Sequence, residues 1–188
     1  GGAAMTLALI AFTAQGYALG EGLAGGLRAW GDAVCLTRGF GPDKPASLRE
    51  WTRQAMEHSE GIVFIGATGI AVRSVAPHLK GKQADPAVVV LDERGRFSIA
   101  LVSGHVGGAN RLALAVAQLT GSQPVITTAT DGRGLFAVDV WAKEQGLALL
   151  DPEAAKAVSA ALLDGRDVAV LSDLPLRGSL PKGLREGG

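Results

Sequence analysis

One short segment, residues 103–110, carries a group that can transfer protons at neutral pH within a glycine-rich stretch. Its sequence is Ser-Gly-His-Val-Gly-Gly-Ala-Asn. The unperturbed pKa of histidine, about 6.5, suits general acid–base catalysis, so His105 is the first candidate for a base, with Ser103 and Asn110 as polar neighbours. Glycines let the backbone approach a ligand closely and present N–H groups to an anion at a helix start. The candidate binding glycines are Gly104, Gly107 and Gly108.

The same segment also has a purely structural interpretation. Asn110 would cap the following helix, the glycines would fit a tight crossover, and His105 would be an exposed loop residue. The residues alone leave both interpretations open.

A second segment, residues 66–69, has the sequence Gly-Ala-Thr-Gly and follows a predicted strand. It resembles a cradle for phosphate or carboxylate in which Thr68 and Gly69 would contact the ligand. It lacks the complete G-x-G-x-x-G pattern and the lysine of a P-loop, so the motif is weak. Arg73, one turn into the next helix, could complete an anion site by bidentate pairing with a carboxylate, although a solvated arginine is the commoner role.

A third segment follows the last strand of this series, at residues 127–132. Thr127, Thr128 and Thr130 offer hydroxyl groups there, and Asp131 offers a carboxylate. These groups are candidates for substrate binding and for a second base. The structural alternative is a turn that is ordered by its own side-chain caps.

Continuous apolar runs alternate with segments of helical period along most of the chain. Strands without polar alternation are buried on both faces, so the pattern predicts an α/β fold with a mostly parallel sheet and helices on both faces, a Rossmann- or flavodoxin-like layered sandwich. In such sheets ligands bind beyond the carboxyl ends of strands, which selects the three segments above. The runs lie at residues 7–12, 33–36, 62–65, 88–91, 97–101 and 125–127.

Local signals add detail to this fold. Ser47 and Glu50 predict a capping box at the start of a helix that ends at residue 58, and Pro77 is expected to end the next helix. Residues 88–101 predict one β-hairpin insertion with a turn at 92–95. Further elements are predicted at 138–145, 152–163 and 168–171.

Composition excludes several classes of protein. Of the 188 residues, 47% are hydrophobic and 18 basic residues balance 18 acidic ones, which excludes a disordered chain and a polybasic nucleic-acid-binding protein. The single Cys35 excludes an internal disulfide framework and a cysteine-based zinc site, and no metal held by the protein is expected. The apolar runs are far shorter than the ~20 residues that span a bilayer, so a cytoplasmic protein without a membrane partner is predicted.

The sequence predicts one α/β domain over residues 5–172. Residues 1–4 precede Met5 and look like the scar of a tag. Residues 173–188 contain proline, glycine and charge without an apolar period, which is typical of a linker or tail.

Four blocks of the sequence together resemble the CbiG family of anaerobic cobalamin biosynthesis. They occur in the family's order and cover about residues 60–132, which makes about 5–132 the N-terminal region and about 133–172 the central region. Full-length members also carry a C-terminal domain, which is expected to be missing here. The blocks are GIVFIGATGIAVR at 61–73, DPAVVVLDERGRF at 85–97, LVSGHVGGAN at 101–110 and PVITTATD at 124–131.

The resemblance implies a cobalt-precorrin-5A hydrolase. Such an enzyme opens the δ-lactone that links the ring A acetate to C20 and releases the C20 fragment as acetaldehyde, which gives cobalt-precorrin-5B. Its substrate is a large, flat, carboxylate-rich corrinoid that already holds cobalt, so no cofactor is expected. His105 would then position or deprotonate the attacking water, with loop N–H groups or threonine hydroxyls on the oxyanion. Ser103 and Asp131 are the other catalytic candidates, and neighbouring enzymes of the pathway are candidate partners.

Two other functions stay open. The chain would be a non-catalytic corrinoid-binding module if the C-terminal domain supplies a catalytic group. The glycine-rich motifs alone also permit a phosphate- or nucleotide-binding domain. The incomplete glycine pattern predicts no thermal shift with NAD, FMN or ATP, so a shift would favour this last function.

Overall fold

The computed structural model describes residues 4–104, 108–128, 138–176 and 178–187. The chain divides into two compact units, Gly1–Ile126 and Thr127–Gly188. The first unit is built on a six-stranded sheet. Its strands are β1 Thr6–Ala11, β2 Ala33–Arg38, β3 Gly61–Ile65, β4 Ala87–Leu91, β5 Phe97–Val102 and β6 Gln123–Val125.

The strands lie in the order β2-β1-β3-β4-β5-β6. Strands β1 to β4 are parallel to one another, β5 is antiparallel to β4, and β6 is parallel to β5. The predicted mostly parallel sheet with one β-hairpin is confirmed, and the hairpin strand β5 belongs to the main sheet. As a result, β5 and β6 run against the other strands.

Helices cover both faces of this sheet, as predicted. They are α1 Ala14–Ala29, α2 Leu48–His58, α3 Thr68–Val75 and α4 Ala109–Thr120. Leu27 of α1 and Leu112 of α4 pack into one core, and Ala55 of α2 and Val75 of α3 pack into the core on the other face. A short 3-10 turn that contains Pro77 follows α3 and ends it, as expected from the missing backbone donor.

The continuous apolar strands are explained by these two cores. Val63 of β3 belongs to the core on the α1 and α4 side, whereas its neighbour Phe64 belongs to the core on the α2 and α3 side. Side chains alternate between the faces of a sheet, so a strand covered on both faces needs an apolar residue at every position. All five residues of β3 are buried accordingly.

The predicted capping box at the start of α2 is half formed. Ser47 Oγ accepts a hydrogen bond from the Glu50 N–H at 3.1 Å. The Glu50 carboxylate is engaged by the Arg53 guanidinium at 2.6 Å and by the Gln54 amide at 3.1 Å. Hydrogen bonds from Arg53 and Gln54 lower the pKa of Glu50 to about 2. A capping box requires the Glu50 carboxylate to accept the Ser47 N–H. The Arg53 guanidinium, one turn further along the helix, binds this carboxylate instead.

Asp92 organises the turn between β4 and β5. Its Oδ1 accepts hydrogen bonds from the N–H groups of Arg96 and Phe97, both at 2.7 Å. Gly95, with a φ of 67°, donates its N–H to the Asp92 carbonyl at 2.8 Å. Burial raises the pKa of Asp92, but the hydrogen bonds from Phe97 and Arg96 outweigh it and leave the pKa below its ordinary value.

Replacing Asp92 with alanine is expected to destabilise the protein by about 1–2 kcal/mol, because two N–H groups lose a charged acceptor. Since folding lowers this pKa, the carboxylate stabilises the protein fully above its unfolded pKa of about 3.9, and this stabilisation is lost as the pH falls through the folded pKa. Urea unfolding at neutral pH and near pH 3 measures both effects. A difference between wild type and variant that does not shrink in acid would contradict the role of the charge.

Within the described ranges, the second unit contains two helices and a pair of short parallel strands. Asp151 caps its second helix by accepting hydrogen bonds from the N–H groups of Glu153 and Ala154, each at 3.0 Å. The elements predicted at 138–145, 152–163 and 168–171 are present. The last strand lies within 173–188, which was expected to be a linker or tail, and its lack of apolar period explains why it was not predicted. The elements are α5 Val138–Glu144, α6 Pro152–Leu163, β7 Val168–Val170 and β8 Leu184–Glu186.

Candidate active site

The loops after β3 and β5 leave the sheet at opposite edges. Val102, the last residue of β5, lies opposite Val88 near the start of β4. Ile65, the last residue of β3, lies beside Leu91 at the end of β4. A five-residue strand separates these edges by about 16 Å. We call the edge where β5 ends the Ser103 edge and the edge where β3 ends the Gly66 edge.

The rule that ligands bind beyond strand carboxyl ends therefore selects two sites instead of one. The hairpin turn at Asp92 is the cause, because it reverses the direction of β5. Each group of predicted binding residues has to be considered at its own edge.

The loop between β5 and α4 is closed at its base on the Ser103 edge. The Ala109 N–H donates to the Ser103 carbonyl at 3.0 Å, and the Asn110 N–H donates to the Gly104 carbonyl at 3.1 Å. These bonds hold the two arms of the loop together. The backbone of residues 103–104 and 109–110 is therefore held in place without help from a ligand.

Gly108 begins α4 as its N-cap residue, with a φ of 85° that favours glycine. Because the N-cap of α4 makes no side-chain cap and Asn110 lies inside the first turn, the structural interpretation in which the Asn110 side chain caps the helix does not hold. His105 and Gly107 lie outside the described residues. The assignment of His105 as a base stays a prediction.

Ser103 has a left-handed backbone conformation, with a φ of 61°. Within the described ranges it is the one residue other than glycine with a positive φ. This conformation costs a residue with a side chain about 1–2 kcal/mol. Strain of this kind is typical of functional positions.

The Ser103→Gly variant is expected to be about 1 kcal/mol more stable than the Ser103→Ala variant, because only glycine relieves the strain. Thermal unfolding would show this as a difference of about 2–4 °C in Tm. Both variants lack the hydroxyl group, so a catalytic role for it predicts equal losses of activity. Equal stability of the two variants would contradict the strain.

A cavity of about 350 Å³ opens beside Ser103. The Asp85 carboxylate in its wall accepts hydrogen bonds from the N–H groups of Lys80 and Gly81, at 2.9 and 3.0 Å. This acid therefore orders the backbone of the segment that precedes β4, and two lysines also line the cavity. The lining residues are Leu79, Lys80, Gly81, Lys82, Asp85, Val102 and Ser103.

Sequence reasoning missed Lys80 and Lys82. They flank a glycine shortly before the amino end of a predicted strand. The rule that ligands bind beyond the carboxyl ends of strands does not select this position. Their position beside Ser103 follows only from the reversed direction of β5. A Lys-Gly-Lys pattern ahead of a strand is the one signal that the sequence offered.

The Gly66 edge brings together the other predicted binding residues of the first unit. Ala67 is the N-cap of α3 and makes no side-chain cap, and Thr68 and Gly69 are exposed in the first turn. The Arg73 Nη1 lies 3.6 Å from the position that a Cβ on Gly69 would take. Thr68, Gly69 and Arg73 are thus neighbours, but they lie at the opposite edge of the sheet from Ser103.

The remaining predicted residues fall in the second unit. Thr127 and Thr128 come directly after Ile126 and open this unit. Thr130 and Asp131 lie outside the described residues. Substrate binding by the threonines and a base at Asp131 stay predictions.

The described part of the chain shows neither a metal cluster nor a membrane helix. No three of its histidine, cysteine and acidic side chains are grouped so that they could hold a metal ion. Each helix within the described ranges is too short or too polar to cross a bilayer.

The fold is similar to that of a protein named as a cobalamin biosynthesis protein G homolog, from Sulfolobus solfataricus, whose crystal structure is known. The TM-score is 0.62 at 23% sequence identity, and the match covers 96% of this chain and 52% of that one. At this identity the likeness concerns the fold.

Curated relatives are more similar in sequence. The chain is 40% identical over 178 residues to the cobalt-precorrin-5A hydrolase of Salmonella typhimurium, which covers 91% of the chain and 49% of the relative. It is 39% identical over 127 residues to the protein of the same name from Priestia megaterium, which covers 68% of the chain and 34% of the relative. The chain therefore spans half or less of the length of these relatives.

Two family models match consecutive parts of the chain. Residues 50–131 match the model described as cobalamin synthesis G N-terminal. Residues 136–187 match the model described as cobalamin biosynthesis central region. Together these matches cover well over half of the sequence in the order that their names describe, and the chain belongs to the CbiG family.

Proposed function

We propose that this chain hydrolyses the δ-lactone of cobalt-precorrin-5A and releases acetaldehyde to give cobalt-precorrin-5B. The similarity to the Salmonella typhimurium hydrolase over nine-tenths of the chain is the observation that carries this proposal. The strained Ser103 and the adjoining cavity support the Ser103 edge as the place of reaction.

The reaction has two steps. Water attacks the lactone carbonyl carbon, and the bond from that carbon to the C20 oxygen breaks, which leaves a free ring A acetate and a C20 hydroxyl group. A base then takes the hydroxyl proton, the carbonyl of acetaldehyde forms, and the bond between C20 and the macrocycle breaks. The macrocycle keeps the electron pair and takes up a proton.

This chain's residues supply proton transfer and charge stabilisation. His105 lies in the loop whose base is closed by the Ser103 and Gly104 carbonyls, and it positions or deprotonates the attacking water. Backbone N–H groups of the same loop stabilise the oxyanion of the tetrahedral intermediate.

The substrate requires an apolar surface for its ring and polar groups for its carboxylates. It is flat, carboxylate-rich and already holds its cobalt, so the metal enters as part of the substrate. A cavity of about 350 Å³ accommodates the edge of such a macrocycle and leaves the rest exposed. The cytoplasm is the compartment that we propose for this reaction, where neighbouring enzymes of the pathway would deliver and collect the corrinoids.

A second candidate function is a corrinoid-binding module without catalysis. The chain covers only 49% of the Salmonella typhimurium relative, so a catalytic group could reside in the remaining half of such proteins. In that case the Ser103 edge would bind the corrinoid and leave it unchanged.

Anaerobic incubation with cobalt-precorrin-5A distinguishes these functions. Acetaldehyde is followed with a coupled alcohol dehydrogenase, and the corrinoid product is identified by its mass. Release of acetaldehyde with formation of cobalt-precorrin-5B is expected. Binding seen by absorbance without release would overturn catalysis by this chain and favour the binding module.

A further inference from the structure

We propose that Lys80 and Lys82 determine substrate specificity by binding peripheral carboxylates of the corrinoid at the Ser103 edge. This inference rests on the proposed function and names the residues that would recognise its substrate. Neither lysine was a candidate in the sequence.

The first observation is the position of the two lysines. Both line the cavity of about 350 Å³ that also contains Ser103, and both are exposed. Lys80 also lines a neighbouring cavity of about 270 Å³, together with Arg53 and His78. Both lysines therefore belong to the wall of the space beside the candidate catalytic loop.

The second observation is that the carboxylate in the cavity wall already accepts hydrogen bonds from backbone N–H groups. Asp85 is the acidic residue in its wall, and its oxygens accept the backbone N–H groups of Lys80 and Gly81. Among the described residues no carboxylate forms an ion pair with the Lys80 or Lys82 ammonium group. The wall thus presents two cations to an anionic ligand.

The third observation is the order of the segment that carries them. Besides the bonds to the Asp85 carboxylate, the N–H groups of Ala84 and Asp85 donate to the Gly81 carbonyl at 3.1 and 3.0 Å. The backbone beneath the lysines is therefore fixed before a ligand arrives. Binding then has to order only the two side chains, which lowers its entropic cost.

The cavity combines these cations with apolar walls. Leu79 and Val102 lie among its lining residues and offer apolar surface to the edge of a flat ring. Carboxylate arms that project from the same ring would reach the ammonium groups. This pairing of an apolar shelf with two cations matches a polycarboxylate macrocycle.

The test replaces both lysines and leaves the fold intact. The K80M/K82M variant keeps an unbranched side chain only one atom shorter than lysine and removes the charge. Lys44→Met is the control, because Lys44 is an exposed lysine in the loop after β2, at the Gly66 edge. Absorbance titration under anaerobic conditions gives the Kd for cobalt-precorrin-5A, and a cobalt corrinoid with methyl-esterified carboxylates is titrated alongside.

The double variant is expected to bind cobalt-precorrin-5A roughly tenfold more weakly, with the same affinity as wild type for the esterified corrinoid. Added salt should weaken binding by wild type more than binding by the variant, since only wild type uses these charges. In turnover, KM should rise by a similar factor while kcat changes by less than about twofold.

Failure of the proposed role of the lysines can be distinguished from failure of the proposed function. Unchanged affinity of K80M/K82M for cobalt-precorrin-5A, when wild type binds it, would overturn the role of the lysines and leave the proposed function standing. An equal loss for both corrinoids would also overturn it, because the effect would not involve carboxylates. Failure of wild type to bind cobalt-precorrin-5A would overturn the proposed function and this inference with it.

Discussion

Replacing His105 with alanine is expected to lower the kcat for acetaldehyde release by about 100- to 10,000-fold, the usual contribution of a general base. The affinity for cobalt-precorrin-5A should stay close to that of wild type, because Lys80, Lys82 and the loop backbone are unchanged in the variant. Single-turnover kinetics under anaerobic conditions separate the two quantities. The loss is expected because His105 directly follows Ser103 and Gly104, whose carbonyls accept the N–H groups of Ala109 and Asn110.

The control for this variant is His58→Ala. His58 lies at the end of α2 with 77% of its side chain exposed, and it should show wild-type kcat and affinity. Unchanged turnover of His105→Ala would remove His105 from the mechanism. A loss of affinity without a loss of kcat would make it a binding residue instead.

Replacing Phe64 with alanine is expected to destabilise the first unit by about 3–5 kcal/mol, because it removes a large side chain from a closed core. Phe64 is fully buried in β3, and its ring meets the Trp51 ring of α2 edge-on at a centroid distance of 6.0 Å. Thermal unfolding should show a Tm lower by about 6–20 °C.

Phe97→Ala is the matched control for Phe64→Ala. Phe97 begins β5 and is 43% exposed, so its replacement should cost about 1 kcal/mol or less. Equal costs for the two variants would mean that α2 does not pack on this face of the sheet as described.

Most of the fold could be predicted because burial on both faces leaves a strong trace in the sequence. The apolar run at 62–65 lies within β3, the N-cap Ser47 marks the start of α2, and Pro77 follows the end of α3. These signals are local, since each depends on residues a few positions apart. The predicted capping box was wrong for the Glu50 side chain, because Arg53, one turn further along the helix, binds its carboxylate.

The arrangement of the site could not be predicted, because it depends on which way a strand runs. The turn at Asp92 was predicted, but its consequence is that Ser103 lies across the sheet from Gly69. The same reversal brings Ser103 to Lys80 and Lys82, which are more than twenty residues earlier in the chain. No periodicity encodes such a pairing.

Hydrogen–deuterium exchange with and without cobalt-precorrin-5A tests most directly whether the Ser103 edge is the substrate site. Binding is expected to slow exchange of amides at residues 79–85, 103–104 and 108–110, and to leave residues 66–69 at the Gly66 edge unchanged. Slowed exchange at 66–69 without any change at 79–85 and 103–104 would contradict the assignment of the site.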